Sequence, residues 1–177
     1  MTISVNFLYP DLFRLVRGPE GNYSSALIAN KDFKAGSVLA VLGEECQLTN
    51  AKEYTSVQVS EEDPENDQIS HIDLGSELVY INHGCDPNVK FDLPDGLLGF
   101  RESRWKLVAL KDIKENDPLS FAYFSTEWDM KQPFDCTCGS KRCLGKIKGA
   151  KHIPAEILDR YFINDHIKRA KAMQNSK

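Results

Sequence analysis

From Ser24 the chain reads Ser-Ser-Ala-Leu-Ile-Ala-Asn-Lys-Asp-Phe-Lys-Ala-Gly-Ser-Val-Leu-Ala-Val-Leu, two short apolar runs separated by a polar turn that closes at Gly36. Short apolar runs bounded by turn-forming residues predict short strands. The stretch Trp105–Tyr123 repeats that grammar: an apolar run to Leu110, a polar turn through Asp112 and Asn116, and a second apolar run from Leu119. The two halves therefore predict the same strand–turn–strand unit twice. Leu97-Leu98-Gly99-Phe100, behind the turn Pro94-Asp95-Gly96, is expected as a further short strand. Past Gly149, Ile157, Leu158, Tyr161 and Phe162 fall at helical spacing, and Pro154 suits a first helical turn, so a terminal helix is expected. Lys168, Arg169 and Lys171 then read as a solvated helix end favoured by the dipole. The pattern as a whole predicts a mostly-β (β+α) chain: a core of short strands and a helical tail.

Between the two halves, Ser60-Glu61-Glu62-Asp63-Pro64-Glu65-Asn66-Asp67 has no apolar period and reads as a solvated surface loop. Composition narrows the class further. With 177 residues, 22 Lys+Arg against 26 Asp+Glu, a formal charge of −4 and 41% hydrophobic residues, the chain fits one globular domain. The apolar runs Ala35–Leu42 and Leu107–Leu110 are far shorter than the roughly 20 residues that cross a bilayer. Asp11 and Arg14 interrupt the apolar N-terminus, so no membrane partner and no secretion signal are expected. The location implied is intracellular, cytoplasmic or nuclear. Asn22-Tyr23-Ser24 matches a glycosylation sequon but lacks the signal peptide that would give it meaning. The mild acidity argues against direct nucleic-acid binding and accommodates a cationic partner more easily.

Two clusters carry candidate chemistry. Cys136-Thr137-Cys138-Gly139-Ser140-Lys141-Arg142-Cys143 places three thiols close together, with Gly139-Ser140 letting the backbone turn so that the sulfurs converge on one ion. Tetrahedral zinc needs a fourth ligand. Spacing alone leaves Cys85, Cys46 and the histidines at 71, 83, 152 and 166 as candidates. The second cluster, Tyr80-Ile81-Asn82-His83-Gly84-Cys85-Asp86-Pro87-Asn88, packs donors, acceptors and ligands around a proline turn, a density unusual for a structural loop.

Asn82-His83-Gly84-Cys85-Asp86-Pro87-Asn88 closely resembles the asparagine-histidine-serine-cysteine-aspartate-proline-asparagine signature of SET-domain protein lysine methyltransferases. Cys136-x-Cys138-x4-Cys143 resembles their post-SET zinc motif, and Leu119-Ser120-Phe121-Ala122-Tyr123 falls where the family has a phenylalanine-aspartate-tyrosine strand end. The resemblance implies the SET fold of short strands and small sheets, divided here into an N-terminal flank (1–24), a SET domain (25–125), a post-SET segment (126–149) and a C-terminal helix (150–177). It implies S-adenosylmethionine as cofactor and a lysine ε-amine of a protein partner as acceptor. Tyr123 matches the catalytic tyrosine, and Phe121 the position that sets how many methyl groups fit. Ser24, Ala26, Tyr80, Asn82 and His83 match the cofactor-binding positions. Cys85 joins Cys136, Cys138 and Cys143 around one structural zinc, leaving Cys46 buried and inert.

The sequence also departs from the family. The glycine-x-glycine of the cofactor loop reads Ser24-Ser25-Ala26, the arginine before the signature is Val79, and the aspartate before the catalytic tyrosine is Ala122. The glycine-glutamate-glutamate turn reads Asn116-Asp117-Pro118. Side chains where bare backbone approaches a ligand raise an alternative: a SET-fold protein whose cofactor site is lost or repurposed, as a small-molecule enzyme or a zinc-stapled binding module.

Overall fold

In the computed structural model, residues 5–19, 24–61 and 69–176 are described. Asn22 and Tyr23 of the sequon and residues 62–67 of the acidic stretch lie outside them. The strands in chain order are β1 (Phe13–Val16), β2 (Ala26–Ala29), β3 (Val38–Val41), β4 (Gln47–Thr49), β5 (Ser56–Gln58) and β6 (His71–Asp73). They continue with β7 (Asn82–His83), β8 (Val89–Asp92), β9 (Lys106–Ala109), β10 (Ser120–Phe121), β11 (Phe134–Asp135) and β12 (Lys146–Ile147). They assemble into small sheets: β1-β2, β3-β9-β8, β4-β6-β5, the parallel pair β7-β10, and β11-β12. This is the mostly-β architecture the apolar pattern predicts.

The repeated grammar has a geometric counterpart. Phe33 and Ile113 exchange backbone hydrogen bonds of 2.9 Å each. Around them Lys34 pairs with Asp112 (2.8 Å) and Lys114 with Asp32 (2.7 Å), while Asp112 accepts from the Ala35 N–H and Asp32 from the Glu115 N–H. The two turns thus dock on each other about a local twofold. Each turn needs a residue in the left-handed region, supplied by Gly36 (φ +83°) and by Asn116 (φ +74°). Asparagine is among the few residues with a side chain that accept that conformation readily, so the altered 116–118 turn keeps its path.

Two expectations are corrected. Residues 97–100 form a helix, α1 (Gly96–Arg101), rather than a strand. A short apolar run suits either, and packing decides: Phe100 stacks 4.9 Å from Trp105, and Gly99 lies so close to the Pro94 carbonyl that a Cβ would overlap it. Residues 150–177 are not one helix: Ala150–His152 is a 3-10 turn, α2 is a single turn (Ala155–Leu158), and α3 spans Asp165–Asn175. Asn164, buried between them, donates to the carbonyls of Phe91 (2.9 Å) and Ser125 (3.0 Å) and accepts from the Leu93 N–H (2.9 Å). It ties the tail to the end of β8 and to the turn after β10.

Among the described residues, buried apolar side chains close into two clusters. The larger, with Trp105, Phe91, Leu27, Ile72 and Leu107 at its centre, fills the space among the sheets. The smaller joins Ala122 and Phe124 to Ala150, Ile153, Leu158, Ile163 and Ile167, and so packs the tail under the turn that carries Tyr123. No helix among the described residues is long and apolar enough to cross a membrane.

Candidate active site

Strands β7 and β10 are far apart in sequence and two residues long, with Ser120 opposite Asn82 and Phe121 opposite His83. So short a parallel pair needs help from side chains. Asn88 provides it: its Oδ1 accepts the Ser120 N–H (2.8 Å), its Nδ2 donates to the Pro118 carbonyl (2.9 Å), and its own N–H donates to the Ser120 carbonyl (3.1 Å). The Gly84 N–H donates to the Phe121 carbonyl at 3.0 Å. Gly84 stands where the signature has serine because Ser120 fills the space: a Cβ at 84 would sit 2.7 Å from Ser120 Oγ.

This pairing sets His83 against Tyr123. The Tyr123 N–H donates to His83 Nδ1 (3.1 Å), so that nitrogen carries no proton and the ring's N–H is on Nε2, 3.3 Å from Cys85 Sγ. Burial pulls the imidazole down to about 4, which keeps it neutral. Its ring stands edge-on to Tyr123 (5.3 Å) and Phe134 (5.7 Å). The Tyr123 phenol donates to the Ile81 carbonyl (3.1 Å), and burial pushes it up to about 12, so the hydroxyl holds its proton throughout the physiological range. Phe121 is wedged 4.8 Å from both Phe91 and Tyr123.

A cavity of about 490 Å³ opens here, lined by Ser24, Asn82, His83, Phe121, Tyr123 and Phe134 among others. Five of the seven cofactor and catalytic positions expected from the sequence therefore meet around one space. Ala26 and Tyr80 do not line it: Ala26 pairs with Val16 in the β1-β2 sheet, and Tyr80 packs against the main core. The replaced glycines do not plug it. Ser24 Oγ rests on Gly18, where a Cβ would overlap it, and Ser25 Oγ accepts the Gly18 N–H at 3.2 Å. Asn82 Nδ2 donates to the Ser25 carbonyl (2.8 Å), tethering the 24–26 segment to the signature. Ala122 lies inside the smaller apolar cluster, where a carboxylate would be costly, and Val79 lines the cavity.

Cys85, Cys136, Cys138 and Cys143 bring their sulfurs within 4.8 Å of one another, with Cys85 and Cys136 at 3.8 Å. Four thiolates about 2.3 Å from a tetrahedral zinc would stand roughly 3.8 Å apart, so the donor set and spacing fit that ion. The surroundings fit as well: the Leu144 N–H points at Cys85 Sγ (3.4 Å), and Asp86 pairs with Arg142 and Lys111 across the loop. Without a cation, burial and neighbouring thiols push Cys85 up to about 11 and Cys136 higher still. Cys46 is buried apart from the cluster, beside the Leu74 carbonyl, and its thiol is pushed up to about 12 by desolvation and Glu45.

Sequence reasoning passed over Glu127 and Gln58. The Gln58 N–H donates to Glu127 Oε1 (2.7 Å), and Gln58 Oε1 accepts the Trp128 N–H (2.8 Å), clamping β5 to the segment after Tyr123. No local pattern announces a contact between residues so distant in the chain.

Residues 25–124, more than half of the chain, match the family described as SET domain. The chain belongs to the SET-domain family. It is 43% identical over 117 residues to the methyltransferase flvH of Aspergillus flavus, covering 66% of this chain and 58% of that protein. It is 36% identical over 84 residues to an H3 lysine-4 specific histone-lysine N-methyltransferase of Emericella nidulans, covering 46% of this chain and 6% of that one. Among solved structures, KRYPTONITE with mCHH DNA, an H3(1-15) peptide and SAH aligns with a TM-score of 0.52 at 19% identity, over 80% of this chain and 30% of that one. That likeness shows the shared fold. The chain thus spans little more than half of flvH and a small part of the histone methyltransferase.

Proposed function

We propose that this chain is an S-adenosylmethionine-dependent methyltransferase that acts on the ε-amine of a lysine in a protein. One observation carries the reading: a side-chain-braced parallel pair brings Asn82, His83, Phe121 and Tyr123 to a single cavity of about 490 Å³, within the roughly 300–1,000 Å³ typical of small-molecule sites. The cofactor supplies an electrophilic sulfonium methyl when bound. Asn82 and His83 would hold it, with Asn82 Oδ1 left over for a ligand once Nδ2 is tied to Ser25. The Ser24 and Ala26 side chains leave that space open, which favours this reading over a lost or repurposed site.

Tyr123 keeps its proton and presents an oriented hydroxyl dipole in the cavity wall, beside the rings of Phe121, Phe134 and His83. The acceptor amine must be neutral to attack. Phe121 adds no hydroxyl that could fix a water in the space beside the amine, which suits transfer of more than one methyl. Cys85, Cys136, Cys138 and Cys143 would hold a zinc ion that ties the β11-β12 hairpin to the signature loop and so completes the cavity wall.

The test is calorimetric titration of the zinc-loaded protein with S-adenosylmethionine and, separately, with its demethylated product. Micromolar binding that Asn82→Ala abolishes is the expected result. Absence of binding up to millimolar cofactor would overturn the proposal in favour of the diverged reading.

A further inference from the structure

The cavity and the thiol cluster share one side chain. Cys85 is fully buried, so water cannot offset the charge of a thiolate there, whereas Cys143 is exposed. Two N–H groups aim at the Cys85 sulfur instead: the Leu144 N–H at 3.4 Å and the His83 Nε2–H at 3.3 Å. Four thiolates around a divalent ion leave an excess of negative charge, and N–H donors to the sulfurs offset it while holding the ligands in place. Leu144 follows directly on Cys143 and belongs to the same loop. His83 belongs to the cavity, where its ring forms part of the wall beside Tyr123 and Phe134. Its other nitrogen, Nδ1, accepts the Tyr123 N–H at 3.1 Å, which fixes the tautomer and leaves the Nε2–H for the sulfur.

The imidazole is therefore held at both ends, by a metal-ligand sulfur and by the backbone of the tyrosine turn. A rigid ring between two fixed partners cannot tilt toward one without loosening the other. We propose that the His83 side chain is a positioning residue that couples the metal site to the cofactor cavity. Metal on Cys85 sets the tilt of the ring in the cavity wall, and a cofactor against that ring strengthens metal binding by the same factor. This rests on the thiol cluster holding an ion and on the cavity being the cofactor site of the proposed methyltransferase.

The experiment measures the affinity of the full chain for cadmium, standing in for zinc, by competition with a chelator. It is done with and without saturating S-adenosylhomocysteine, whose own binding is followed by calorimetry. In the wild type, S-adenosylhomocysteine is expected to tighten cadmium binding by at least about fivefold, the lower end of ordinary coupling between sites. His83→Asn offers an acceptor to the Tyr123 N–H but no donor that reaches Cys85. It is expected to weaken cadmium binding by about tenfold or more and to abolish the tightening. His83→Gln, whose longer amide can place an N–H near the Nε2 position, is expected to restore part of both. A tightening that persists in full in His83→Asn would assign the coupling to packing of the β11-β12 hairpin and overturn the inference. Cadmium affinity indifferent to bound S-adenosylhomocysteine in the wild type overturns it as well. If the variants do not fold, the wild type supplies its own check by NMR with spin-active cadmium and isotope-labelled histidine. Scalar coupling between the metal and the His83 Nε2–H proton, across the Cys85 sulfur, is expected, and its absence overturns the inference. Failure of S-adenosylhomocysteine to bind at all, seen separately in the calorimeter, overturns the methyltransferase reading and, with it, this role for His83.

Discussion

At the scale of single residues, the functional weight falls on side chains whose partners are backbone atoms. Tyr123 donates to the Ile81 carbonyl, and His83 accepts from the Tyr123 N–H, so each is oriented by groups that cannot rotate away. Tyr123→Phe removes that oriented dipole together with its hydrogen bond to the Ile81 carbonyl. It should lower methyl transfer by about a hundredfold or more, the order seen for loss of one preorganised donor, and leave cofactor affinity unchanged in calorimetry. Gly84 makes a complementary point. Restoring the serine of the family signature should destabilise this chain by about 1–3 kcal/mol through overpacking against Ser120. Adding Ser120→Ala should recover most of that loss, a coupling that denaturant titration of the two singles and the double would reveal.

Among elements, the decisive contacts link segments that local patterning treats as independent. Asn164 serves the end of β8, the turn after β10 and the start of α3 at once. Asn164→Ala leaves buried backbone groups unpaired and should cost at least about 2 kcal/mol in chemical denaturation. Helix α3 adds a pH dependence. His166 is buried, with Nε2 bonded to the Thr126 carbonyl at 2.8 Å. Burial holds its imidazole below the ordinary value, against the raising influence of that carbonyl, Glu61 and Asp165. The unfolded chain takes up this proton below about pH 6.5, and the folded chain resists it. This contribution is therefore complete above that pH and is lost as the pH falls toward the folded value. Melting temperatures between pH 7.5 and 5 should show the decline, and His166→Gln should flatten it.

Across the whole molecule, the thiol cluster is the point where the C-terminal segment is fastened to the loop that follows β7. The sulfurs come from residue 85 and from residues 136–143, so an ion among them would close a long chain loop. Native mass spectrometry should find one zinc per chain. Stripping it with a chelator should lower the melting temperature by about 10 °C or more, since metal-binding free energy is then lost from folding. Alkylation of the folded, metal-free protein should label exposed Cys138 and Cys143 first and spare Cys85 and Cys46, which are buried.

The sequence by itself determined the family, the short-strand grammar with its internal repeat, the thiol trio and the identities of Asn82, His83, Phe121 and Tyr123. These are legible because they are local: turn residues, apolar spacing and a contiguous signature are written side by side in the chain. The tertiary structure alone decided that residues 97–100 coil against Trp105, that Gly84 answers Ser120, that Gly18 makes room for Ser24, and that Glu127 faces the cavity from a bed of Gln58 and His71. Each of these depends on a contact between residues brought together only when the sheets close. Whether an apolar run becomes strand or helix, and whether a replaced glycine blocks a site, is settled by the volume its neighbours leave, and no local spacing records that volume.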